Sequence, residues 1–155
     1  MRITKIKVNN FKSLIDFEID LSKFNCIVGL NGSGKSTFLQ FVSFLSQLMK
    51  GGVDDWFQQR KWAIEDIIPQ RDNRKHRVVH FEIFFQQENI NGHWKGDFLV
   101  DWLCCTHEEL SLGDCLFESE NTKNEKNILS NAGGGSLNIN RRALTLTIKD
   151  QFSHN

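Results

Sequence analysis

The sequence predicts an α/β chain in which a phosphate-binding loop joins a strand to a helix and an antiparallel β region follows. Three observations carry that prediction. Residues Gly29-Leu30-Asn31-Gly32-Ser33-Gly34-Lys35-Ser36-Thr37 match G-x-x-x-x-G-K-[ST]. An apolar run, Cys26-Ile27-Val28, enters the loop, and residues Phe38 to Met49 leave it with helical apolar spacing. From Val78 onward, apolar and polar residues alternate with period two.

The loop needs these residue types for physical reasons. Glycines let the backbone turn tightly and aim successive N–H groups into one concavity. The helix that follows adds free N–H groups and the positive end of its dipole. Lys35 reaches the β/γ-phosphates as a compact charge, and the Ser36 hydroxyl can ligate Mg²⁺. A Gly/Ser-rich surface turn would show similar letters, but it would not need an apolar strand before and a helix after.

Taken in order, residues 2 to 9 read as a strand with a charged outer face, and Asn9-Asn10 as a turn. Residues 14 to 21 alternate, with Ile15, Phe17, Ile19 and Leu21 on one side and Asp16, Glu18 and Asp20 on the other. The two segments form an antiparallel hairpin in this reading. Cys26-Ile27-Val28 shows no alternation, which predicts a central strand covered on both faces. The helix after the loop carries a wide apolar stripe and ends at Gly51-Gly52. Asp54 or Asp55 is the expected N-cap of a second helix running to about Ile68, closed by Pro69.

Residues 70 to 77, Gln-Arg-Asp-Asn-Arg-Lys-His-Arg, form a basic loop. It reads either as a solvated connection or as a phosphate or nucleic-acid contact through Arg71, Arg74, Lys75 and Arg77. Val79, Phe81, Ile83 and Phe85 then alternate on one face, and Asn91-Gly92 signals a hairpin. The return strand sets Trp94, Phe98, Val100 and Trp102 against Lys95, Asp97 and Asp101. Further strands are expected near residues 115 to 118, 137 to 140 and 143 to 149, with polar loops at 118 to 126 and 133 to 135.

Composition narrows the class. At 155 residues the chain suits one domain, and 19 basic against 19 acidic residues leave no bulk-charge argument for nucleic acid or membrane. No apolar run approaches about 18 residues and no charged-then-apolar leader stands at the start, so neither a membrane span nor a signal peptide is expected. The four cysteines form no C-x-x-C pair. Reduced thiols in a cytoplasmic protein are the expectation.

The residues that carry a resemblance are Ile6-x-Val8-x-Asn10-Phe11-Lys12-Ser13-Leu14, then Phe24-Asn25-x-Ile27-Val28-Gly29-x-Asn31-Gly32-Ser33-Gly34-Lys35-Ser36-Thr37, then Phe44-Leu45-Ser46. Residues 1 to 50 resemble the N-terminal segment of the RecF/SMC-like branch of ABC-type ATPases. That branch includes bacterial ATPases of the overcoming-lysogenisation-defect, retron-associated and anti-phage defence kind. The resemblance implies that Asn31, Gly32, Ser33, Gly34, Lys35, Ser36 and Thr37 hold the phosphates and Mg²⁺ of ATP. It places Lys12 and Ser13 near the base or ribose. It also implies a homodimer with ATP sandwiched between two heads, or a partner effector protein, with DNA a further candidate effector.

Two family features are absent from the sequence: a Leu-Ser-Gly-Gly-type signature and a run of four apolar residues ending in Asp-Glu. Phe98-Leu99-Val100-Asp101 approaches the second, but Trp102 follows where Glu is wanted, and the Asn91-Gly92 hairpin puts the segment in an antiparallel ribbon, where Asp101 reads as an outward-facing strand residue rather than as that acid. No catalytic residue is therefore assigned. Gln151 is a candidate Mg²⁺-sensing glutamine, with Gln86 and Gln87 as rivals and a plain surface role as the alternative. The expected organisation is one N-terminal ATPase lobe over 1–155. Residues 1–50 hold the hairpin, loop and helix, 51–77 a helix and basic loop, 78–149 the β region, and 150–155 the start of a C-terminal part. Three functions remain open: an ATP-binding lobe of an ABC-type ATPase, a non-catalytic nucleotide-binding module, and a small P-loop kinase.

Overall fold

The computed structural model describes residues 1–69, 77–121, 126–130, 136–140 and 143–147. Strand β1 (Arg2–Asn9) pairs antiparallel with β2 (Phe17–Asp20), setting Val8 opposite Phe17 and Lys5 opposite Asp20. The turn between them works through its polar residues. Asn10, Lys12 and Asp16 adopt left-handed backbone, the Asn9 carboxamide oxygen accepts the Asp16 N–H at 3.1 Å, and Asn10 donates to the Val78 carbonyl at 3.3 Å. The strand is shorter than residues 14 to 21 suggested, because Leu14 folds back onto Phe11 and Ile15 is left exposed.

β3 (Val78–Gln87) joins the other edge of β1, and β4 (Ile90–Leu99), β5 (Cys104–Leu112), β6 (Cys115–Asn121) and β7 (Lys126–Ser130) follow in turn. The sheet order is β2-β1-β3-β4-β5-β6-β7, and every one of these pairings is antiparallel. β8 (Ser136–Asn140) and β9 (Ala143–Thr147) form a separate hairpin.

The β3–β4 hairpin turns at Glu88-Asn89, since Gln87 pairs with Ile90, and not at Asn91-Gly92 as expected. Asn91 and Gly92 lie within β4, where Gly92 leaves room for the Phe85 ring. The return strand also ends earlier than expected. Val100-Asp101-Trp102 is a 3-10 turn that buries Val100 and exposes Trp102.

Helix α1 (Lys35–Lys50) lies on one face of the sheet. Phe38, Phe41, Phe44, Leu45 and Leu48 recur at helical spacing and are buried, so they form one stripe. Phe44 meets Phe98 of β4 edge-on at 5.0 Å between centroids and Phe11 of the first turn at 5.5 Å, while Phe41 meets Phe11 at 5.2 Å. Full burial of each such ring stabilises the fold by roughly 1.5–3 kcal/mol. The stripe is narrower than predicted, because Leu39 and Met49 are exposed.

Helix α2 (Val53–Arg60) is shorter than the predicted stretch to Ile68. Lys61 ends it in left-handed backbone, and a 3-10 turn at Ile64–Asp66 follows. Gly52 occupies the N-cap, placing Asp54 and Asp55 in the first turn, where they favour the positive helix end.

The largest difference concerns residues 24 to 30. Cys26-Ile27-Val28 was expected as a buried central strand, yet it belongs to no strand and Cys26 is exposed. Phe24, Val28 and Leu30 are 84%, 83% and 86% exposed, and Ile27 is 40% exposed. Such a run is buried where it forms a central strand with both of its faces covered. The seven-stranded sheet does not include it.

Candidate functional site

Gly32 and Gly34 adopt φ of 81° and 90°, the left-handed region that favours glycine. A Cβ at Gly32 would meet nothing within 4 Å, so the backbone conformation, and not space, calls for glycine there. Together with the Ser33 N–H bond to the Leu30 carbonyl at 3.2 Å, these residues turn the loop into the start of α1. The first amide to bond back into the helix is that of Phe38, to the Gly34 carbonyl at 2.9 Å. The amides of Lys35, Ser36 and Thr37 precede it, so they have no partner within the helix.

No side chain caps α1 at Gly34, and the first turn holds no acidic residue. The first helical residue is instead Lys35, a cation at the positive end of the dipole, which is unfavourable without an anion nearby. Its ammonium curls over the loop and donates to the Gly29 and Leu30 carbonyls, both at 2.7 Å. A polyphosphate fits this arrangement: it would accept from the unpartnered amides and give Lys35 a charged partner. Ser36 is exposed at the helix start, where its hydroxyl can join a phosphate-held Mg²⁺. Among the described residues no group of three His, Cys, Asp or Glu side chains is placed to hold a metal.

The β1–β2 turn reaches this loop. The Ser13 hydroxyl bonds that of Thr37 at 3.3 Å, which brings Ser13 to the last residue of the motif. Lys12 is anchored by its N–H to the Ile67 carbonyl, and its ammonium lies 3.6 Å from the centroid of Trp62. Burial holds the Lys12 amine below its ordinary pKa, with Arg60 adding to the effect and Asp66 opposing it. Asn31 and Ser33 are exposed on the loop.

The remaining candidates are dispersed. Gln151 and the basic residues Arg71, Arg74 and Lys75 lie outside the described residues. Arg77 is described and bonds Glu65 at 3.1 Å, with Asp101 at 3.8 Å. Asp101 is exposed in the 3-10 turn after β4, so it is neither a strand residue nor the end of an apolar strand aimed at the loop. Gln86 accepts a bond from Arg2 at 3.2 Å, and Gln87 stands at the hairpin end.

Sequence reasoning passed over the aromatic group beside Lys12. Trp56 and Trp62 meet edge-to-face at 5.0 Å, and the Arg60 guanidinium lies 4.4 Å from the Trp56 ring and 5.4 Å from that of Trp62. The i, i+4 spacing of Trp56 and Arg60 signals their contact. The left-handed Lys61 that folds Trp62 back onto them leaves no such signal.

No helix among the described residues is long and apolar enough to cross a membrane. The family model for the AAA ATPase domain matches residues 1–152. Among curated proteins nothing matches.

Proposed function

Because the chain belongs to the AAA ATPase domain family, we propose that it is an ATP-binding lobe of the RecF/SMC-like kind, coupling Mg-ATP binding to association of two heads. The observation that carries this reading is the start of α1: two left-handed glycines, an uncapped helix end and Lys35 folded over the loop. Bound ATP supplies a phosphoanhydride bond whose cleavage needs a positioned water. In this proposal the amides of Lys35 to Thr37 fix the phosphates, Lys35 exchanges its two carbonyl partners for phosphate oxygens, and Ser36 holds Mg²⁺. Ser13 braces Thr37 from the β1–β2 turn.

Activation of water belongs to a second polypeptide or segment in this reading. Asp101, the candidate acid, stands in the 3-10 turn after β4 and not at the end of an apolar strand. The exposed apolar run at 24 to 30 supports the same view, since it offers a strand that other strands would cover. The effector is proposed to be DNA or a defence-linked protein, on the strength of the resemblance at residues 1 to 50. A purely nucleotide-binding, non-catalytic module is the second reading, and it is favoured by the place of Asp101 in the 3-10 turn after β4, off any strand.

Calorimetry with Mg-ATP tests the binding claim. The whole chain is expected to bind, and Lys35→Ala to weaken binding about 10–100-fold, the scale of a lost charge-assisted hydrogen bond. Identical titrations for the two proteins would overturn it. Phosphate-release assays separate the readings of catalysis. Turnover only with a second polypeptide supports the two-part ATPase, and turnover by the chain alone that Asp101→Asn abolishes supports a small-kinase or classical single-chain P-loop reading.

A further inference from the structure

On the face of the sheet turned away from α1, three polar side chains of β4 and β5 meet. We propose that Ser111, His93 and Glu109 form a nucleophile–base–carboxylate relay, and that Ser111 takes acyl groups from small activated esters. The proposal stands apart from the phosphate-loop reading and does not depend on it.

The register sets up the contact. His93 of β4 stands directly opposite Ser111 of β5, and Glu109 lies two residues before Ser111, hence on the same face. Ser111 Oγ is 2.8 Å from His93 Nδ1, and Glu109 Oε1 is 2.7 Å from His93 Nε2. The chemistry of the three groups fixes the protons. Burial works to raise the Glu109 pKa, but the bonds from Lys95 and His93 outweigh it, so the carboxyl is ionised at neutral pH and only accepts. His93 Nε2 therefore donates to Glu109. In the neutral imidazole this leaves Nδ1 as the acceptor, and Ser111 Oγ donates to it. The hydroxyl proton thus points at a base whose tautomer a carboxylate holds, the order of groups that an activated serine requires.

The surroundings suit the same role. The side chain of His93 is 29% exposed and that of Glu109 only 14%, so the base is reachable and the carboxylate is sheltered behind it. Lys95 takes the second carboxylate oxygen, Oε2, at 2.6 Å and leaves Oε1 to the imidazole. Phe84 stands opposite His93 and Leu116 opposite Ser111, so two partly exposed apolar side chains flank the pair. They offer a seat for a short acyl chain.

In the first step, Ser111 Oγ bonds to the ester carbonyl carbon while its proton passes to His93 Nδ1. The bond from that carbon to the alcohol oxygen then breaks, and the alcohol leaves with the proton. Water, deprotonated by the same nitrogen, attacks the acyl carbon, releases a carboxylic acid and restores the Ser111 hydroxyl. β4 and β5 are inner strands whose amides serve the sheet, so the oxyanion is left to solvent. The gain is that of general-base catalysis alone, about 10²–10⁴-fold, which suits esters with a good leaving group.

The test treats the whole chain with a fluorophosphonate, from whose phosphorus the Ser111 oxygen displaces fluoride, and locates the adduct by peptide mass spectrometry. The adduct is expected at Ser111 of the unaltered chain, a readout that needs no variant to fold. Ser111→Ala is expected to remove it, and His93→Gln to slow its formation about 100-fold, the scale of a lost general base. Glu109 acts through His93 and is a positioning residue. Glu109→Gln is expected to slow labelling, and Glu109→Asp to recover most of the rate, which loss of sheet stability alone would not produce. Hydrolysis of p-nitrophenyl acetate is expected to rank the variants in the same order. An absent adduct, one spread over other serines, or a labelling rate untouched by His93→Gln would sink the proposal and leave the three side chains as a hydrogen-bonded sheet surface.

Discussion

Lys35 shows how a single charge can be held in two ways. Its ammonium donates to two carbonyls of its own loop, so any polyphosphate competes with those bonds. Glu109 shows the same economy on the sheet's outer face, where Lys95 reaches it at 2.6 Å and His93 at 2.7 Å. Burial alone would raise its pKa, but the bonds from Lys95 and His93 outweigh that and hold it below the ordinary carboxylate value. Lys95 is held above its own, chiefly by the bond to Glu109. The signs follow by linkage. The Glu109 contribution is present above its unfolded pKa and lost as pH falls through the lower folded one. The Lys95 contribution is present below its unfolded pKa and lost as pH rises through the higher folded one. The melting-temperature gap between the chain and Glu109→Gln should therefore be level across neutral pH and close below about pH 4, as thermal melts would record.

At the scale of elements, α1 was the most legible part, because a helix leaving a phosphate loop with phenylalanines at regular spacing has one obvious buried face. Phe44→Ala should cost about 3–5 kcal/mol in urea unfolding, since the ring is enclosed by Phe11 and Phe98. Strand β5 was not legible. Its buried positions are Cys105, Glu108 and Leu110, which break period two. The break has a cause in its neighbour: the β4–β5 register shifts between Asp97 and Phe98, so Thr106 is an extra residue. Glu108 is tolerated at a core position because the Trp94 indole N–H donates to it at 3.3 Å. The β3–β4 turn misled for a similar reason. Asn91-Gly92 has turn chemistry, but the glycine serves a ring: a Cβ there would come within 2.4 Å of Phe85. Gly92→Ala should cost about 1–3 kcal/mol by overpacking, measurable in the same unfolding assay.

For the whole molecule, the candidate phosphate site was readable because its chemistry is local. Gly32, Gly34, Lys35, Ser36 and Thr37 need only one another and a helix start, and these are contiguous in the chain. The approach of Ser13 is not local, and here the resemblance at residues 1 to 50, rather than any spacing, placed it near the site. The strand expected at residues 26 to 28 failed for the opposite reason. Its composition suits a strand covered on both faces, and the seven-stranded sheet does not take it in. Sequence pattern reports what a segment is suited to, whereas its burial depends on which neighbours are at hand.

The same segment has a colloidal consequence. Phe24, Val28 and Leu30 project into solvent from a stretch without proline or charge between Asn25 and Leu30, on a chain whose net charge at neutral pH is zero. Nothing electrostatic keeps copies apart there, and the stretch combines strand-forming side chains with free edges. Concentrated solutions near pH 7 should scatter light increasingly with protein concentration, and Val28→Lys should suppress the effect without altering the melt. Solubility of this chain would then be governed by a few residues at the entrance to its candidate phosphate loop.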